Sequence, residues 1–224
     1  MLISKLGIPV HPTLHCYENS LSNGVRYYFN SINLHKKIRP VNRLDKNTSG
    51  IVIFAKCEYI QENLKKYDKE YLAIVNGTLD GSGIIDKPIA RKNNSIIERC
   101  IDKNGDRAIT YYEVVKNFST ADISYCSCNN NDTKNKVDKL KNVNNQKLSL
   151  VKCKLETGRT HQIRIHLASI GHPLLGDSLY GEESSLIDRQ ALHACKICFI
   201  HPVTKEKIEI VSEIPDDMKS ILYL

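Results

Sequence analysis

The sequence predicts an α+β domain built on a mixed, largely antiparallel β-sheet flanked by helices. Short apolar or alternating stretches recur along the 224 residues, and few stretches of helical spacing separate them. Hydrophobic residues make up 41% of the chain, enough to bury a core and to exclude disorder throughout.

Taken in order, "GIVIFAK" (Gly50 to Lys56) is a continuous apolar run after a turn, suited to a strand buried on both faces. "CEYIQENLKKYDKE" follows with Ile60 and Leu64 at helical spacing and charges elsewhere, a short surface helix. "YLAIVNGTL" reads as a strand opened by Tyr71 and closed by Asn76-Gly77, a hairpin signal. "TYYEVVKNF" and "KLSLVKCKL" are strands, the second with Val151, Cys153 and Leu155 on one face. Between them residues 126–147 are rich in Asn and Lys and nearly devoid of apolar side chains, an exposed or disordered insertion. "RTHQIRIHLASIGHP" fits a helix, with Ile163, Leu167 and Ile170 on one face, Thr160 as cap, Gly171 as left-handed C′ residue and Pro173 as stop. "IPDDMKSILYL" places Pro215 and two aspartates where a first helical turn wants them.

The net charge of +7 favours a polyanionic partner, most simply nucleic acid. The first residues show neither the apolar run nor the cleavage site of a signal peptide, and no segment approaches the roughly 20 apolar residues of a membrane span. Eight scattered cysteines then read as reduced thiols of a cytoplasmic protein. Cys195-x-x-Cys198 falls on an expected strand, where residues three apart face opposite sides, and Cys126 and Cys128 make no better pair. No metal site is expected.

Two segments carry candidate chemistry. In "RPVNRLDKNTSGIVIFAK" Asp45 stands between Arg43 and Lys46 at the mouth of the buried run. Adjacent cations keep a carboxylate ionised, ready to act as nucleophile or base, and an aspartate in such a loop also simply turns the chain. In "ETGRTHQIRIH" Arg159, His161, Arg164 and His166 crowd together. The two histidines are five apart, roughly 140° around a helix, so they diverge and make no zinc pair. Arg164 adjoins the apolar stripe, and a buried guanidinium demands a carboxylate, which Asp45 would supply; a purely structural ion pair fits the spacing equally. Tyr71 reads as core packing or as a ring that stacks a base.

"NRLDKNTSGIVIFAK", "KEYLAIVNG", "ETGRTHQIRIHLASIGHPLLGDSLYG" and "LHACKICFIHPVT" together resemble the RluA-type pseudouridine synthases, from about Lys5 to the C-terminus. The resemblance implies the pseudouridine synthase catalytic fold and isomerisation of chosen uridines in structured RNA, ribosomal RNA of the large subunit or tRNA, with no metal or organic cofactor. It makes Asp45 the catalytic carboxylate and Arg43 the side chain that enters the RNA where the flipped uridine was. It further makes Tyr71 the ring packed on the base, with a part in proton removal, and Arg164 the partner of the aspartate. Arg159 and His161 belong with the RNA-binding residues. A monomer is expected.

Three departures accompany the resemblance. Asn42 stands where histidine is usual, the chain opens after the strand with which members normally begin, and the Asn/Lys insertion interrupts the match. The expectation is one catalytic domain over 1–224 lacking the usual first strand. An RNA-binding protein of the same family without catalysis is the alternative. Glycoside hydrolysis would need two carboxylates flanking the bond, and only Asp45 stands inside these motifs.

Overall fold

The computed structural model describes residues 2–4, 7–12, 17–64, 67–121 and 145–222, arranged as two compact units. It is α+β, with a mixed, largely antiparallel sheet and a few helices. Among the described residues no helix is long and apolar enough to cross a membrane.

The first unit comprises Met1–Glu70 and Ala194–Glu213. Strand β1 (Leu2–Ser4) pairs antiparallel with β3 (Ser49–Val52), and β3 neighbours β11 (Leu192–Ile200). Strand β12 (Lys207–Val211) closes antiparallel on β11. All four β3 residues are buried, as a strand covered on both faces requires. Gly50 sits there at φ 121°, and a Cβ on it would lie 2.3 Å from the carbonyl oxygen of Ala194, so only glycine lets β3 and β11 approach this closely. The apolar run expected as one strand is two. It breaks at Ile53, whose N–H donates to the Asn42 side chain, before β4 (Phe54–Ala55) pairs with β2 (Arg39–Pro40).

Helix α1 (Leu21–Ser31) has no counterpart in the sequence reading. Gly24 and its asparagines and serines argue against a helix. Tertiary burial of Val25 and Phe29, an i, i+4 pair, overrides that weak propensity, and the Ser20 hydroxyl caps the start by accepting from the Asn23 N–H. Helix α2 (Glu58–Asn63) is shorter than expected, because strand β5 (Tyr67–Asn76) already begins at Tyr67. Ile51, Ile53, Leu64, Ile197 and Phe199 form this unit's core.

The second unit comprises Tyr71–His193 and Ile214–Leu224. Its strands run in the order β5 (Tyr67–Asn76), β10 (Lys147–Leu155), β9 (Ile109–Ser119), β6 (Ser82–Asp86). Asn76-Gly77 therefore turns the chain without closing a hairpin, since β10 and β9 lie between β5 and β6. Its backbone groups are spent elsewhere: the Gly77 N–H donates to Lys147 O and its carbonyl accepts from the Ser149 hydroxyl. β9 and β10 pair antiparallel from Ser119 opposite Lys147 to Thr110 opposite Leu155, with a bulge at Leu150/Val151. Lys147 thus already belongs to β10, while residues 122–144, with most of the expected insertion and Cys126 and Cys128, lie outside the described residues. Strands β7 (Ile89–Arg91) and β8 (Arg99–Ile101) make a separate hairpin.

Helix α3 (Gln162–Ala168) occupies the expected segment with different ends. His161, not Thr160, is its N-cap; it adopts the left-handed conformation at φ 57° and gives no side-chain cap. Ser169 is the C-cap, and left-handed Gly171 comes two residues later. Helix α4 (Asp216–Leu222) follows Pro215 with Asp216 and Asp217 in its first turn, as anticipated. Its Met218, Ile221 and Leu222 pack with Ile74, Leu148 and Leu175 in the main core. Arg189 anchors the helix through Asp217, Nε to Oδ2 at 2.7 Å.

Candidate active site

In the first unit Arg43 and Asp45 share the loop between β2 and β3, Arg43 exposed and Asp45 half-buried. The loop is held at both ends. On the near side, Asn42 is buried with its amide satisfied twice, Nδ2 donating to Ile51 O at 3.0 Å and Oδ1 accepting from Ile53 N–H at 2.8 Å. On the far side, the Thr48 N–H donates to Asp45 O at 2.9 Å, closing a turn over Lys46 and Asn47. The Asp45 backbone carbonyl thus takes part in the turn anticipated at this residue. Asn42, noted in the sequence only as a departure, pins the segment three residues before Asp45 to the edge of β3.

Lys69 belongs to the same unit. Its Nζ lies 4.8 Å from the centroid of the Tyr67 ring. Burial, seconded by the nearby Arg43 charge, pushes its ammonium down to about 8. The Tyr67 hydroxyl donates to Val41 O, and burial raises that phenol above its usual range.

In the second unit Tyr71 is the fifth residue of β5 rather than its first, and it is buried. Arg159, His161 and Arg164 are brought together on the loop and helix after β10. Gln162 organises that loop. Its Oε1 accepts from the Arg159 N–H and the Thr157 hydroxyl, both at 2.9 Å, while Nε2 donates to Ile109 O at 2.9 Å and Thr110 Oγ1 at 3.0 Å. The loop is thereby fastened to β9 by Gln162 together with Thr157, whose hydroxyl accepts from the Ile109 N–H at 2.9 Å. Arg159 reaches back to donate to Arg107 O and pairs with Asp106 at 3.4 Å.

Arg164 is buried, as its place beside the apolar stripe predicted, and its guanidinium meets a carboxylate in this unit that the sequence reading passed over. Asp177 accepts from Arg164 Nε at 2.7 Å and Nη2 at 2.6 Å. Asp177 Oδ1 also accepts from the Leu179 and Tyr180 N–H groups, so the carboxylate is held by the backbone as well as by the arginine. The Tyr180 ring covers the guanidinium, 5.0 Å from Cζ to centroid. The Tyr180 hydroxyl accepts from Arg99 N–H at 2.9 Å and lies 2.8 Å from His161 Nδ1, with the two rings edge to face. Asp177 and Tyr180 both stand in the quoted "GHPLLGDSLYG". The legible signal was an aspartate right after a glycine, in a turn close in sequence to the arginine.

His166 is fully buried between Lys87 O at Nε2 and Thr110 Oγ1 at Nδ1, both 2.9 Å. The carbonyl fixes the proton on Nε2, so Nδ1 accepts. Burial depresses its pKa.

Residues 5–169 match the family described as RNA pseudouridylate synthase. The chain is 37% identical to the uncharacterised RNA pseudouridine synthase YhcT of Bacillus subtilis (strain 168), across 99% of this chain and 68% of that protein. It is 33% identical to the ribosomal large subunit pseudouridine synthase D of Zymomonas mobilis, across 97% of this chain and 67% of that one. Two human structures share the fold. RNA pseudouridylate synthase domain containing 1 aligns at a TM-score of 0.69 and 23% identity, over 94% of this chain and 78% of its own. Domain containing 4 aligns at 0.68 and 19%, over 99% and 87%.

Proposed function

Because the chain belongs to the RNA pseudouridylate synthase family, whose members are isomerases, we propose that it converts uridine to pseudouridine in large-subunit ribosomal RNA with Asp45 as the catalytic carboxylate. The observation that carries this reading is the segment "NRLDKNTSG" inside the matched residues 5–169, held by the Asn42 clamp and the Asp45–Thr48 turn.

The chemistry sets the demands. The target base leaves its stack, at a cost of about a few kcal/mol. Arg43, exposed two residues before Asp45, has the planar donor set to stack and hydrogen-bond where the base was. The C1′–N1 bond then breaks, the base turns, and C1′ joins C5; N1 gains a proton and C5 loses one. Asp45 either attacks C1′ or removes the 2′ proton to give a glycal-like intermediate. Tyr71 is the ring that retains the loose base, and Arg164 is the catalytic cation; Arg159 and His161 grip the RNA. Departure of the C5 proton needs only a weak base or water.

Transcribed large-subunit ribosomal RNA carrying tritium at uridine C5 tests the proposal, with tRNA as a parallel substrate. The intact chain releases tritium and Asp45→Asn does not, while still binding RNA. No release from either RNA by folded, RNA-binding protein would overturn isomerisation in favour of a binding protein without catalysis. Release from tRNA alone would overturn the ribosomal assignment.

A further inference from the structure

Helix α1 and the loop after it form a one-sidedly basic stretch of the chain. Residues 19–44 contain five Lys or Arg and not one Asp or Glu. The helix buries only Val25 and Phe29 and turns Arg26, Tyr27 and Tyr28 to solvent, Tyr27 80% and Tyr28 52% exposed. The following loop folds back along the helix. Arg26 Nη1 donates to Lys36 O at 2.9 Å, and the Leu34 N–H donates to Phe29 O at 2.8 Å. Lys36 and Lys37, both exposed, are thereby brought to the flank of the helix that carries Arg26, next to Tyr27, while Tyr28 lies roughly 200° from Arg26 on the other flank. Among the described residues none of Arg26, Lys36 and Lys37 is ion-paired, whereas Arg39 is engaged by Gln61 and Glu58.

Exposed cations with no acid among them, set beside an exposed ring, match the chemistry of a single-stranded nucleic acid: phosphates for the cations, a base face for Tyr27. A protein interface is depleted of lysine relative to the rest of the surface, whereas this face sets two lysines and an arginine beside its exposed ring, with asparagines and serines before and after it on the helix. The loop also leads directly through β2 to Arg43 and Asp45. We propose that the α1 face formed by Arg26 and Tyr27 together with Lys36 and Lys37 binds a single-stranded stretch of the substrate RNA flanking the target uridine. This rests on the RNA-modifying reading above and adds to it a second contact surface outside the catalytic motifs.

The test uses the full chain, a transcribed fragment of large-subunit ribosomal RNA, and binding measured across a salt series. Lys36→Gln/Lys37→Gln with Arg26→Gln should flatten the log K against log salt slope by about 2, the value for three released phosphate contacts on a single strand. Tyr27→Ser should weaken binding roughly fivefold or more with the slope unchanged. In tritium release both sets should raise KM and leave kcat at saturating RNA as it was. Because the triple change removes the Arg26–Lys36 contact, Lys36→Gln/Lys37→Gln alone is the control that keeps it, with a smaller slope change expected. An unchanged slope and affinity in variants of wild-type melting temperature overturns the proposal. So does altered self-association in sedimentation with RNA affinity intact, which would make the face a contact between copies. If the intact chain binds RNA but releases no tritium, the binding arms still decide this surface, so its failure and that of the isomerase reading are separately visible.

Discussion

Arg164 and Asp177 form a buried bidentate ion pair, with Nε–Oδ2 at 2.7 Å and Nη2–Oδ1 at 2.6 Å. Asp177 is further bound by two backbone N–H groups and Arg164 is covered by the Tyr180 ring, so neither side chain has freedom to reorient. The pair locks α3 to the turn that follows it. Its strength lies in completeness rather than in charge, because buried ions gain little net stability unless every remaining donor and acceptor is met.

Removing one member leaves the other charge buried. Asp177→Ala should therefore cost about 3–5 kcal/mol in urea denaturation. The double variant Arg164→Met/Asp177→Leu should regain much of that loss, since an apolar pair of similar volume carries no desolvation cost. Tritium release should stay absent in the recovered double variant. Activity in it would remove Arg164 from the chemistry.

Asn42 satisfies one buried acceptor and one buried donor of the strand edge. Asn42→Ala should destabilise by about 2–4 kcal/mol, from two orphaned backbone groups. Asn42→Asp should be worse, since it keeps the bond from Ile53 N–H but sets a carboxylate against Ile51 O. At temperatures where the alanine variant remains folded, kcat should fall more than KM rises, because the segment carrying Asp45 has lost its near-side anchor.

His166 is neutral when buried, and its folded pKa lies below the ordinary 6.5 because burial disfavours the cation. Between that depressed value and about 6.5 the unfolded chain holds a proton that the folded chain does not. Stability should thus fall as the pH drops through that window. His166→Gln should flatten the acid limb of a plot of denaturation midpoint against pH, at the cost of lower stability at pH 7.5.

Lys69 gives the opposite limb. Its ammonium is pushed from 10.5 down to about 8, first by burial and then by Arg43. Below about 8 both folded and unfolded chains carry the charge, and the fold bears the desolvation. Between about 8 and 10.5 only the unfolded chain does, so stability should rise with pH across that interval. Lys69→Met, which keeps an unbranched apolar side chain without the ammonium, should be more stable than the parent at pH 7 and lack that rise. Equal midpoints at pH 7 and pH 9.5 in the parent would contradict the assignment.

What could be read along the chain were features set by neighbours in sequence. The period of "RTHQIRIHLA" gave α3, the Pro-Asp-Asp start gave α4, the pattern of "KLSLVKCKL" gave the strand β10, and the motif wording gave the family. The burial of β10 was not legible, since Leu148 to Val151 are buried in unbroken succession and Leu155 only in part. Helix ends were misread where local rules tie: Thr160 and His161 are both placed to cap, and the backbone settled on a left-handed histidine. Helix α1 was invisible because its propensity is poor and only tertiary burial of Val25 and Phe29 sustains it.

By itself, then, the sequence determined which residue types lie beside one another in the chain: Arg43 next to Asp45's loop, and Arg159, His161 and Arg164 on one short segment. Only the tertiary structure decided which distant groups meet. The sequence announced that the Arg164 guanidinium needs a carboxylate, but burial states a demand without naming the supplier, and folding supplied Asp177 within the second unit. Likewise Asn42 looked like a lost histidine until folding set its amide between Ile51 O and Ile53 N–H. Hydrogen bonds and ion pairs act over about 3 Å in space, and a one-dimensional pattern carries no such distance.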